Sequence, residues 1–188
     1  MEEKSTFWRS AMAYGLYLAV ALTLFSVILY VSGMILNEKM GYISFAIIIA
    51  GIVISQINYR EKELNGVISY GEAVGFGVAI MLFAGIVTAL YTLILYTFVD
   101  PGLIEQMKVM QEEALLQKGM SEDQIDAAMS MTSKMMTPGW MAIMGLVGSV
   151  FMGTIVSLIT SIFIKKQPNE NAFDDAMEEV KTDETSQV

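Results

Sequence analysis

The sequence predicts an all-α fold: a four-helix transmembrane bundle with an amphipathic helical hairpin inserted, on the extracytoplasmic side, between spans 3 and 4. Three observations predict it. Charged residues make up 16% of the chain, against about a quarter in a soluble domain, and the mean hydropathy is +0.53. The charges are segregated, with no Asp, Glu, Lys or Arg in 10–37, 40–59, 73–99 or 135–164. Between the last two of these runs, from Asp100 to Gly139, the pattern changes to polar residues punctuated by helix caps.

Each charge-free run holds at least 20 residues. About 20 apolar residues, rising ~1.5 Å each, cross a hydrocarbon core of about 30 Å. A helix closes its backbone hydrogen bonds within itself, as lipid requires. Buried helices of a soluble protein would carry charges on their outward faces, and these runs carry none. Spans are expected at about 10–36, 40–59, 73–99 and 139–164, within a four-span membrane domain over 1–165. Residues 100–137 form the inserted hairpin, and 166–188 an acidic, disordered cytoplasmic tail.

Residues 1–9 are a polar start with Phe7 and Trp8 as interface anchors. The first apolar run is too long for a signal-peptide core, so it reads as a retained span. If spans alternate, Lys4, Arg9, Arg60, Lys62, Lys165 and Lys166 share one side, with Lys39 and Lys134 close to the membrane on the other. The positive-inside rule then places both termini in the cytoplasm and the hairpin in the periplasm or exterior.

Leu24–Tyr30 aligns with Leu90–Tyr96 at four identical and three conservative positions, and Arg60/Lys62 and Lys165/Lys166 end the second and fourth spans alike. A parallel repeat of two helical hairpins would produce this. Chance similarity in an apolar alphabet competes with it. Between spans 2 and 3, Asn65-Gly66 signals a turn, and Ser69 and Glu72 have capping-box spacing for the start of the third helix. Glu72 is the acid nearest a span, with Arg60 and Lys62 as ion-pair partners. A cap with an interfacial ion pair explains it better than a proton or cation site, because transporter carboxylates sit deeper.

The insert carries its own start and stop signals. Asp100 reads as an N-cap and Pro101 as the first helical residue. Leu103, Met107, Met110 and Ala114 form an apolar stripe that ends at Gly119. Ser121 and Gln124 make a second capping box, with Met120 and Ile125 as its hydrophobic staple. Ile125, Met129, Thr132 and Met136 continue the second stripe. Thr137-Pro138 stops that helix and caps the fourth span, where Trp140 marks the interface. Neither short helix is stable alone, so each stripe must be buried against the other arm, the span ends or a partner. Seven acids against three lysines in 100–137 disfavour anionic lipid as that surface.

The fourth span has a ladder of small residues, Gly145, Ser149, Gly153, Ser157 and Ser161, each four apart. Gly15, Ala19 and Thr23, and Gly85 and Ala89, offer similar faces on the first and third spans. Such faces let helix backbones approach closely, within the bundle or between two copies. In the tail, Phe173, Ala176, Met177 and Val180 lie among acids and suit a short helix formed on a partner.

The net charge of −9 disfavours nucleic acid as a partner. With no Cys and no His, disulfides, thiol chemistry, ordinary zinc sites and histidine acid–base catalysis are absent. Sixteen methionines, ten of them between Met107 and Met152, offer soft ligands for Cu(I). Met107, Met110, Met129 and Met136 already belong to the apolar stripes, where methionine is an ordinary filler. No enzyme, cofactor or metal is expected. The leading expectation is an interaction or accessory protein that engages a partner through the hairpin or the tail. The alternative is a small transporter or channel component acting as a homo-oligomer. Expected partners are the lipid bilayer and either another protein or a second copy.

Tyr59-Arg60, the run Ile68-Ser69-Tyr70-Gly71-Glu72-Ala73, Asp100-Pro101, and Gly119 to Ile125 together resemble one family, the membrane proteins grouped as domain of unknown function 4199. The likeness covers roughly residues 5–165. It implies the inner membrane of a bacterium and carries over no catalytic or binding residues.

Overall fold

A computed structural model describes residues 2–166, so the expected tail helix over 173–180 lies outside the described residues. The fold is all-α: α1 Glu2–Val31, α2 Glu38–Glu63, α3 Tyr70–Ile94 running on into a π turn at Leu95–Val99, α4 Gly102–Gln117, α5 Glu122–Met135 and α6 Pro138–Ile164. Four helices are long and apolar enough to cross a membrane: Thr6–Val31, Glu38–Glu63, Tyr70–Val99 and Pro138–Ile164. The α4–α5 hairpin sits between the third and fourth, as the charge pattern requires.

The first span stops five residues short of its expected end at 36. Gly33 has φ +67, and the Met34 N–H closes on the Leu29 carbonyl at 2.8 Å, so the helix ends at Val31. Hydropathy measures composition and missed this stop, because only the left-handed backbone of a glycine marks it. Asn37 then caps α2, its side chain accepting from the Lys39 N–H at 3.0 Å.

α3 is the central helix, packed against α1, α2 and α6. Its contact with α6 is a seam of interlocking small residues. Gly77 faces Ser157, Gly85 faces Ser149, and the Met81 side chain fills the notch at Gly153, where an added Cβ would lie 2.5 Å from Met81 Cβ. The ladder on α6 is thus an intramolecular packing face from Ser149 to Ser161. Gly145 does not belong to it: it is exposed, and nothing lies within 4 Å of a Cβ placed there. The first rung falls outside because spacing shows which residues share a face, and not how far the partner helix follows it.

The core is concentrated at the end of the bundle away from the hairpin. Tyr59 and Phe76 stack with ring centroids 3.9 Å apart, and Phe7 meets both edge-on. That end is also tied by polar contacts. Ile68 and Lys166 exchange backbone hydrogen bonds of 2.9 and 3.0 Å, and an Arg60 Nη donates to the Ile164 carbonyl at 2.8 Å, capping α6. α2 contributes Ile52, Ser55, Gln56 and Tyr59 to the interior, all from its second half. Its first half shows exposed Tyr42, Ile43 and Phe45. The half of α2 nearer the hairpin buries no residue fully.

Candidate functional site

Where α2 is least buried, the hairpin-end halves of α1, α2 and α3 do not close on one another. They line an open cavity of about 690 Å³. α1 supplies Leu22, Phe25 and Leu29, α2 supplies Met40, Gly41 and Ser44, and α3 supplies Thr88, Tyr91 and Thr92. The hairpin forms the remaining wall with Met107, Met110, Gln111, Ala114 and Met136. Three of the four residues of the first hairpin stripe therefore face this cavity. The fourth, Leu103, is buried beside it at the foot of α4, and Ile125 is buried on α5.

Two local features put the hairpin there. The end of α3 widens into the π turn, closed by the Asp100 N–H on the Leu95 carbonyl at 2.8 Å. One extra residue in the turn re-aims the chain that follows. Asp100 was expected as the N-cap of the next helix. The structure instead has Pro101 in the cap position, with no side-chain cap bond, and the Asp100 carboxylate accepts from the Tyr30 hydroxyl at 3.3 Å. The acid joins the hairpin to the end of α1 because the π turn points it outward from α4. The other signals act as read. Gly119 has φ +76, with the Met120 N–H on the Leu115 carbonyl, and Ser121 and Gln124 form their capping box. Thr137 caps α6 at the Trp140 N–H, with Pro138 at its first turn.

The cavity wall is apolar with hydroxyls set into it. Thr88 and Thr92 donate back to the Ala84 and Thr88 carbonyls at 3.0 and 2.9 Å, and Ser44 to Met40 at 3.4 Å. Their protons are taken and their lone pairs remain. Thr23 Oγ1 and the Tyr91 hydroxyl are buried with no hydrogen-bond partner among the described residues. Among the described residues, no Lys or Arg lines the cavity, and Glu38 is its one charged lining residue.

At the opposite end lies a polar cluster that the sequence reading missed. Gln56 is fully buried. Its Nε2 donates to the Ala73 carbonyl at 2.8 Å and to Ser161 Oγ at 3.2 Å, and its Oε1 accepts from Thr160 Oγ1 at 3.0 Å. The available signal was that Ser157, Thr160 and Ser161 supply hydroxyls near the same membrane level, where a glutamine in lipid needs partners. Ser69 does cap α3, accepting from the Glu72 N–H at 3.2 Å. Arg60, however, pairs with Glu61 at 2.7 Å and with the end of α6, and not with Glu72 as expected. The adjacent acid reaches the guanidinium without ordering a loop.

A family model described as a protein of unknown function (DUF4199) matches residues 13–166, from the first span through the end of the fourth. No curated protein and no solved structure matches the chain.

Proposed function

We propose, from the premise that the chain belongs to the DUF4199 family of proteins of unknown function, that it is a membrane-embedded interaction or accessory protein which presents its α4–α5 hairpin to a partner. One observation carries this reading. The hairpin is docked by one set of apolar residues and bears a second set that the bundle does not cover. Leu103 and Ile125 are buried, whereas Val109, Leu116 and Met131 are 48%, 53% and 71% exposed. Val109 and Leu116 are seven residues apart and share one face of α4. In this reading the protein holds or recruits and does not catalyse.

The distribution of lysine and arginine supports an orientation with both termini in the cytoplasm and the hairpin outside. With the family likeness, it supports the inner membrane of a bacterium as the location. A second reading, a small transporter or channel component, draws on the cavity at the hairpin end. The packed opposite end, with its Tyr59–Phe76 stack and Gln56 cluster, favours the first.

The test is site-specific photocrosslinking in native membranes. A crosslinker at Leu116 or Met131 is expected to give one discrete protein adduct, and one at the lipid-facing Gly145 none. If the hairpin positions give no adduct and the reconstituted protein instead makes liposomes permeable to small solutes, the transport reading replaces this one.

A further inference from the structure

We propose that the outward face of α4 is the docking surface for a basic amphipathic helix of another protein, one that sets an apolar stripe beside Lys or Arg side chains. This rests on the reading that the hairpin engages a protein partner, and it names the chemistry of that partner. It starts from helical spacing. Glu105, Val109, Glu112, Glu113 and Leu116 are all exposed, and at about 3.6 residues per turn they share one side of α4. Met107, Gln111 and Ala114 occupy the other side and line the cavity. α4 is therefore docked by one face and carries, on the opposite face, two apolar residues with two acids between them. Glu105 is held by Lys108 at 3.2 Å, whereas Glu112 and Glu113 have no ion pair among the described residues.

Charge then selects the occupant. Val109 and Leu116 flank the carboxylates, so this face cannot sink into hydrocarbon without taking Glu112 and Glu113 with it, which lipid penalises. Anionic headgroups are repelled by the same two charges. A second copy of the chain fares no better. A two-fold contact centred on this face, with Val109 of each copy against Leu116 of the other, sets one Glu112–Glu113 pair against the next. No Lys or Arg on the face offsets them. A helix that bears Lys or Arg beside its own apolar residues satisfies both sets at once. Val109 and Leu116 are two turns apart, about 10 Å along the axis, and so match apolar residues seven apart on the partner.

The experiment uses the full chain in phosphatidylcholine nanodiscs and fluorescent synthetic helices of leucine and lysine, read by anisotropy against empty nanodiscs. A helix with leucine in one stripe and lysine beside it is expected to bind saturably. The same composition with the stripe scrambled, and the same stripe with glutamate for lysine, should bind about tenfold more weakly or not at all. Glu112→Gln with Glu113→Gln should raise the half-saturating concentration about three- to tenfold. Asp123→Asn with Asp126→Asn removes the same charge from exposed positions of α5 and should leave it unchanged. In native membranes, the adduct of a crosslinker at Leu116 should fall severalfold when Glu112 and Glu113 are both changed to Gln, and the crosslinked segment should carry Lys or Arg. The proposal is overturned by no saturable binding of the striped helix, by equal binding of the three peptides, or by equal effects of the α4 and α5 pairs. An adduct on an acidic segment or on a second copy overturns it too. If the adduct forms but ignores the loss of the two acids, the partner reading stands and this inference alone falls; with no adduct, both fall. Should the α4 pair variant not fold, the order of the three peptides on the unaltered protein decides.

Discussion

Gln56 and Ser161 stand 105 positions apart in the chain, and Gln56 Nε2 lies 3.2 Å from Ser161 Oγ in the fold. With Thr160 and the Ala73 carbonyl, this contact joins α2, α3 and α6 where no water is available to replace a lost partner. Gln56→Ala leaves those groups unsatisfied and should destabilise the bundle by about 1–3 kcal/mol. Thr160→Val removes one bond and should cost less. Chemical unfolding in detergent measures both, and the two changes together should cost less than their sum, because they break the same bond. Additive effects would mean that the two side chains do not interact.

The α3–α6 seam makes opposite predictions for two glycines on one helix. Gly153→Leu forces a side chain into Met81 and should destabilise by about 1–3 kcal/mol through overpacking. Gly145→Leu meets open space and should change stability by no more than about 0.5 kcal/mol. Equal unfolding midpoints for the two variants would show that the seam is not where α3 and α6 meet.

Hairpin docking is checked by hydrogen exchange. Amides over 103–116 and 123–134 should be protected in the unaltered protein. Leu103→Asp and Ile125→Asp each bury a charge at a site 4% exposed, and should abolish that protection. Met131→Asp lies at an exposed position and should leave it intact. Ser121→Ala removes one arm of the capping box and should cost about 0.5–2 kcal/mol locally, speeding exchange at the start of α5 first. Random-coil exchange throughout the unaltered hairpin would refute docking.

The proposed orientation has a direct assay, because the chain contains no cysteine and single cysteines can be introduced without background. Lys118→Cys, at the tip of the hairpin, should react with a membrane-impermeant maleimide in intact cells. Glu63→Cys, at the end of α2, should react only after permeabilisation. The reverse pattern would invert the topology and remove the hairpin from the exterior.

The sequence by itself determined the architecture. Four charge-free runs of spanning length admit one secondary structure in lipid, and Gly119, Ser121, Gln124 and Pro138 act on their own neighbours, so their effects were readable from local order. Its limits appear where the outcome depends on a distant residue. Gln56 lies in a charge-free run with nothing local to mark it, and only the fold brings Thr160 and Ser161 beside it. Asp100 read as a cap until the π turn aimed it at Tyr30. The Gly145–Ser161 ladder showed a packing face, while only the path of α3 decided that Gly145 lies beyond it. The cavity was the least legible feature, because its wall is assembled from α1, α2, α3 and the hairpin, which are far apart in the chain. Spacing along a helix records which residues share a face. The distance between faces is set by how whole helices pack, and no short stretch of this chain encodes that distance.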